Sequence, residues 1–148
     1  MLKIRLFKPE DVGPVMDLVG AALRENYPPD IYLDIHRWWK EGFLIAENSG
    51  QVIGFMACVV NAPGQARVLM LAIDAPHRNQ GIGTQLMTTF IRECAVRGMK
   101  SIELEVRHSN VAAIRFYKRH GFLISYSLDH FYTDGEDGYK MTKVIGAA

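Results

Sequence analysis

The sequence predicts an α/β (α+β) fold: a mixed, mainly antiparallel seven-stranded sheet flanked by about four helices. Three observations predict it. Seven short runs alternate polar and apolar residues or concentrate β-branched and aromatic ones. Four further stretches carry apolar stripes at helical spacing, or helix start and stop signals. The order, roughly βααβββαβαββ, sets a meander ahead of a β-α-β unit, which implies a mixed sheet with helices on its faces.

Leu2 to Phe7 alternates and reads as a strand. Pro9-Glu10-Asp11 opens a helix, because proline and acids suit a first helical turn, and Val12, Val15, Met16, Val19 and Leu23 form its apolar stripe. Pro28-Pro29 is expected to break it, with a second helix over about Asp30 to Lys40. Phe43 to Glu47 and Gln51 to Val60 form a hairpin about Asn48-Ser49-Gly50. Asn61-Ala62-Pro63-Gly64 turns the chain into a third strand, Arg67 to Ile73. A glycine-containing loop then leads into a helix from about Gly81 to Arg97, closed by Gly98. Ser101 to Arg107 alternates, with Ile102, Leu104 and Val106 on one face and Glu103, Glu105 and Arg107 on the other. Asn110 caps a short helix that ends at Gly121. Phe122 to Phe131 and Gly138 to Val144 form the last strand pair, joined by the turn-forming residues 133–138.

Length and composition bound the function. The 148 residues suit one domain, 1–148, and 49% hydrophobic with 22% charged residues is an ordinary globular balance. A net charge of +1 supplies no bulk field for nucleic acid or an anionic membrane, so neither is an expected partner. The N-terminus lacks the apolar core of a signal peptide, and no apolar run approaches the ~20 residues of a membrane span. Cys58 and Cys94 lie in apolar surroundings and read as reduced core thiols, with a cytoplasmic protein as the expectation; a monomer or homodimer is expected. His36, His77, His108, His120 and His130 are scattered without ligand spacing, so no metal is expected.

The most informative segment is Ile73-Asp74-Ala75-Pro76-His77-Arg78-Asn79-Gln80-Gly81-Ile82-Gly83-Thr84, between a strand and a helix. Glycines there let the backbone turn tightly and approach a ligand, and the helix N-terminus offers free amides at the positive end of its dipole. That is a cradle for a pyrophosphate, with Arg78 adding charge, or else a tight turn that starts a helix. A Walker A loop is excluded because Ile82-Gly83-Thr84, not Lys-Ser/Thr, follows Gly81. A dinucleotide fingerprint is excluded because Leu86 stands where a third glycine is needed.

Arg78-Asn79-Gln80-Gly81-Ile82-Gly83 resembles the Gln/Arg-x-x-Gly-x-Gly/Ala signature of the GNAT acetyltransferases. The resemblance implies that Arg78, Gln80, Gly81, Gly83 and Thr84 hold the pyrophosphate of coenzyme A, with acetyl-CoA as cosubstrate. It also implies a GNAT-type sheet whose strand before the loop is bulged and splayed. Leu71 and Ile73 would then meet the pantetheine arm through backbone groups, and a freed amide near Leu71 to Ile73 would stabilise the oxyanion.

A second block agrees. Leu104-Glu105-Val106-Arg107, Ser109-Asn110, Ala113-Ile114-Arg115-Phe116-Tyr117 and His120-Gly121-Phe122 resemble the N-terminal amine acetyltransferases, including the ribosomal-protein branch. Phe131-Tyr132-Thr133-Asp134-Gly135-Glu136-Asp137 is similar to their Tyr-Tyr…Asp-Gly…Asp loop. The chemistry needs a base, since only a neutral amine attacks a thioester, and an acid for the leaving thiolate. Glu105 is the candidate base, directly or through water, or else an exposed strand charge like Glu103. Tyr117 is the candidate acid beside the coenzyme sulfur, or else a core aromatic beside Ile114. Asn110 is a candidate coenzyme contact with a sufficient role as helix cap. Tyr27 and Tyr132 are candidates for the acceptor channel, as is the Trp38-Trp39 pair if it is not helix packing.

The expected reaction is therefore direct attack of a primary amine on acetyl-CoA, with a protein or peptide N-terminus as the expected acceptor. A small amine, such as a polyamine or amino-sugar, is the alternative, and a non-catalytic coenzyme A-binding protein is a third reading. The segment Glu25-Asn26-Tyr27-Pro28-Pro29 replaces the Phe-Pro-Trp type of the ribosomal-protein branch.

Overall fold

The computed structural model describes residues 1–146, and its strands pair into one seven-stranded sheet. In chain order the elements are β1 (Leu2–Leu6), α1 (Val12–Leu18), α2 (Pro29–Trp38), β2 (Phe43–Asn48), β3 (Gln51–Ala62), β4 (Gln65–Ile73), α3 (Ile82–Val96), β5 (Ser101–Arg107), α4 (Val111–Arg119), β6 (Leu123–Leu128) and β7 (Gly138–Val144). The sheet order is β1-β2-β3-β4-β5-β7-β6. All neighbours are antiparallel except β4 and β5, the pair that the α3 crossover joins.

Strand alternation sorts the core onto two faces. Leu44, Ala46, Met56, Cys58, Ile102, Leu104, Val106 and Met141 pack with Leu86, Met87, Phe90 and Cys94 of α3, and Ile114, Phe116 and Tyr117 of α4 join that side. Phe43, Ile45, Phe55, Ala57 and Ala72 pack on the other face with Val15 and Leu18 of α1 and Tyr32 and Ile35 of α2. Glu103, Glu105 and Arg107, alternating with the buried residues of β5, are only partly buried.

Several boundaries differ from the sequence expectation. Helix α1 does not run to Pro28: it widens into a π-type turn over Val19–Leu23 and stops at Arg24, whose φ of 54° is left-handed. β3 continues through Asn61 and Ala62, so Pro63 and Gly64 alone make the turn. β6 ends at Leu128, leaving Phe131 in the loop. The bulge on β4 also sits earlier than expected. Ala57 pairs with Met70 and Cys58 with Val68, so Leu69 is the extra residue, not one within Leu71 to Ile73.

That bulge positions the site. β4 pairs with β5 only from Gln65 to Arg67, opposite Ser101 to Glu103. Beyond Arg67 the strands part, and the side of β4 facing β5 has no strand partner through to Ile73.

Candidate active site

The parted strands open into a cleft of about 510 Å³. Leu71 and Ile73 supply its β4 wall, Arg78, Gly81, Gly83 and Thr84 its loop, and Asn110 and Tyr117 the α4 side. Eight of the residues singled out in the sequence thus line one cavity. Ala22 and Arg119, which no sequence signal had marked, also line it, as do Leu23, Asn79 and Phe116, which lay within sequence patterns but had been given no site role. Gln80 does not: its amide Nε2 donates to the Pro76 carbonyl at 3.3 Å.

The loop between β4 and α3 is shaped by two left-handed residues, Asn79 (φ 62°) and Gly81 (φ 77°). Gly81 is the N-cap of α3 and no side chain caps the helix, so the first intrahelical amide bond is Gln85 N to Gly81 O at 3.0 Å. The amides of Ile82, Gly83 and Thr84 precede it, lack intrahelical partners and lie at the positive end of the helix dipole. Gly83 is needed for a different reason: a Cβ there would meet the Phe116 ring at 3.3 Å. Arg78 donates from Nε to the Ile73 carbonyl at 3.1 Å, which holds its guanidinium beside the loop. Free amides, an adjacent cation and an unpaired strand edge fit a long phosphorylated thioester such as acetyl-CoA.

On α4, Asn110 caps the helix by accepting from the Ala113 amide at 3.2 Å. Tyr117 lies about two turns along on the same side of the helix and packs edge-on against Phe122. Burial pushes its phenol up to about 12, helped by the nearby Cys58 thiol and Tyr132, so it stays protonated at any physiological pH.

Glu105 lies outside the cleft lining, with its carboxylate on the opposite sheet face from the β5 core residues. It is nearly buried and doubly held: Arg67 donates to Oε1 and Lys140 donates to Oε2 at 2.6 Å. Burial raises the phenol of Tyr132 above the ordinary range. Its ring is held by Arg107, whose guanidinium carbon stacks 4.1 Å from the ring centroid. Arg107 also bridges Asp134 and Glu136, each at 2.8 Å. Glu136 accepts from the Ser109 amide as well, and Ser109 with Arg107 draws its carboxyl down to about 2. Arg107 therefore braces the whole β6–β7 loop.

Tyr27 is partly exposed in the segment before α2; burial and the adjacent Glu25 carboxylate raise its phenol above the ordinary range. Trp39 is buried edge-on against Phe90 of α3, and Trp38 is 68% exposed.

With this geometry in place, comparison decides the family. A model described as "Acetyltransferase (GNAT) family" matches residues 13–122. The chain belongs to that family. The acetyltransferase is similar to an N-alpha-acetyltransferase of Sulfurisphaera tokodaii, 30% identical over 94% of this chain and 90% of the relative. An N-acetyltransferase of Methanocaldococcus jannaschii is 33% identical over 95% of this chain and 90% of its own length. Among solved structures, Ard1 from Thermoplasma volcanium matches at 36% identity and a TM-score of 0.94, covering 99% of both chains. The ribosomal-protein-S18-alanine N-acetyltransferase of Escherichia coli matches at 27% identity and a TM-score of 0.87, covering 100% of this chain and 96% of that one. The mixed sheet expected from the sequence is thus the GNAT fold. No helix among the described residues is long and apolar enough to cross a membrane.

Proposed function

We propose that this acetyltransferase moves an acetyl group from acetyl-CoA to the α-amine of a protein or peptide N-terminus. The observation that carries the reading is the joint placement of the uncapped α3 N-terminus, the parted β4 edge and Tyr117 around one cleft. The names of the Sulfurisphaera and Thermoplasma relatives support the N-terminal acceptor. Acetyl-CoA supplies the acetyl group as a thioester.

The chain's own residues would act as follows. The amides of Ile82, Gly83 and Thr84, with Arg78, bind the pyrophosphate. Unpaired backbone along β4 aligns the pantetheine arm, and an amide there donates to the carbonyl oxygen as negative charge develops. The amine nitrogen bonds to the acetyl carbon and its surplus proton passes to Glu105, through water where the distance requires it. The carbon–sulfur bond breaks, and Tyr117 gives its proton to the departing sulfur. Tyr132 and Tyr27 flank the acceptor.

The polyamine alternative finds less support. Both carboxylate oxygens of Glu105, Asp134 and Glu136 already accept hydrogen bonds from the protein, and Asp137 accepts from the His130 amide. Few carboxylates are left to greet a polycation. The cytoplasm is the compartment that fits two free, buried thiols. Thiol release from acetyl-CoA, measured with short peptides, spermidine and an amino-sugar, tests the reading. Turnover with peptides is expected; turnover with a small amine alone would overturn the N-terminal assignment.

A further inference from the structure

The sheet face that carries Glu105 also carries a charge lattice that proton transfer alone does not require. Glu105 and Glu103 project from β5, and Lys140 of β7 stands directly opposite Glu105 in register. Lys140 Nζ is 2.6 Å from Glu105 Oε2 and 3.1 Å from Glu103 Oε1. Arg67 of β4 takes the other oxygen of Glu105, and Asn61 of β3 donates to Glu103 at 2.7 Å. From the β6–β7 loop, Tyr132 stands near this group, stacked under Arg107, whose guanidinium bridges Asp134 and Glu136 and leaves that trio one negative charge in excess. The side chains of Glu105, Lys140 and Glu103 are only 9%, 12% and 15% exposed.

Two bare carboxylates in so shielded a place would be a poor setting for amine chemistry. They would bind the acceptor as an ammonium ion and hold its proton. Arg67 and Lys140 cancel both formal negative charges. Burial opposes the charge on Lys140, but its bonds to Glu105 and Glu103 more than offset that, so it stays a cation well beyond neutral pH. At the shielded lattice an incoming amine therefore meets four charges that cancel and little water, and both conditions favour its free base; the excess charge of the trio sits on Asp134, which is 61% exposed and screened by solvent.

We propose that Arg67 and Lys140 cancel the charges of Glu103 and Glu105 at the acceptor face, so that this shielded lattice admits amines as free bases and selects weakly basic α-amines over side-chain and polyamine ammonium groups. The proposal rests on the acetyl-transfer reading above. An α-amine of pKa ~7.8 and a lysine side chain of ~10.4 differ roughly 300-fold in their neutral fraction at pH 7. A neutral site passes that difference on to the rate, whereas an anionic site would erode it by binding the more basic amine as a cation.

The test is the pH dependence of kcat with one α-amine peptide. Lys140→Met leaves the lattice with a net negative charge, so the pH of half-maximal kcat should rise. Removing one nearby charge predicts roughly a tenfold loss at pH 7 with near recovery by about pH 9.5. Glu103→Gln should move the half-maximal pH the opposite way. The double variant Lys140→Met/Glu103→Gln restores neutrality and should return it toward the wild-type position. Lys140→Arg should stay close to wild type. A lattice that merely braces Glu105 would lose rate at every pH and would not be rescued by Glu103→Gln, and either result overturns the proposal. If Lys140→Met does not fold, the downward shift in Glu103→Gln decides alone, and no shift there overturns it. Wild-type protein that acetylates no peptide defeats the acetyl-transfer reading itself. Wild-type activity with immobile variant profiles defeats only the neutral-site proposal.

Discussion

Gly81→Asp should separate coenzyme binding from folding. Gly81 is left-handed (φ 77°), and a Cβ there would find nothing within 4 Å, so the chain itself has room for a side chain. The folded state suffers about 1 kcal/mol of backbone strain, which Asp tolerates better than most residues. An acid at the helix start recovers about 0.5 kcal/mol through the dipole. The net loss of roughly 0.5 kcal/mol corresponds to a Tm shift of about 1–2 °C for a chain of this length. Binding responds far more. A carboxylate ~6 Å from a doubly charged pyrophosphate, at an effective dielectric constant of ~40, costs about 3 kcal/mol, or on the order of 100-fold in Kd. Isothermal calorimetry with acetyl-CoA beside thermal melts reads both quantities, and Gly81→Ala, which adds strain without charge, should keep most of the affinity. A folded Gly81→Asp protein with wild-type affinity would show that this loop is not the phosphate cradle.

Other expectations follow from the same geometry. Tyr117→Phe removes a proton donor and little packing, so kcat should fall about 10- to 100-fold with acetyl-CoA affinity nearly intact; because burial holds the phenol near 12, no rate loss from its ionisation should be seen below about pH 10. Arg107→Met should loosen the β6–β7 loop and raise the peptide KM about tenfold, leaving the acetyl-CoA KM unchanged in steady-state kinetics. Arg5→Met strips Asp11 of its guanidinium partner at 2.8 Å in a nearly buried pair, and should cost about 3 kcal/mol in denaturant unfolding at pH 7. Burial works against the Asp11 carboxylate, but Arg5 and the Lys8 amide more than offset it, so its folded pKa is depressed. The stabilisation is therefore present above the unfolded carboxylate value and fades as pH falls through the folded one, where mutant and wild type should converge.

Periodicity and turn chemistry made the elements legible. Ser101–Arg107 was readable to the residue because it alternates cleanly between a buried and an open face, whereas Gly138–Val144 was bounded by the turn chemistry before it rather than by alternation. The loop from Arg78 to Thr84 stood out because glycines at a strand-to-helix junction have few other uses. What escaped the sequence depended on register or on single backbone torsions. Lys140 faces Glu105 because β7 lies beside β5 with that residue opposite, which no local pattern announces. The bulge at Leu69 is one unpaired residue in a run of good strand formers. The early end of α1 turns on the left-handed Arg24, in a stretch whose apolar stripe still looked helical. Phe131-Tyr132-Thr133 read as strand and turn, but the Arg107 bridge to Asp134 and Glu136 that shapes the loop spans 27 and 29 positions of sequence.

The most direct measurement of the central claim uses one peptide that carries both a free α-amine and a lysine side chain. It is incubated with acetyl-CoA and the protein near pH 7, and fragment mass spectrometry locates the acetyl group. Acetyl on the α-nitrogen, lost when that nitrogen is blocked beforehand, is the predicted result. Acetyl on the lysine, or equal labelling of free and blocked peptides, would contradict the account.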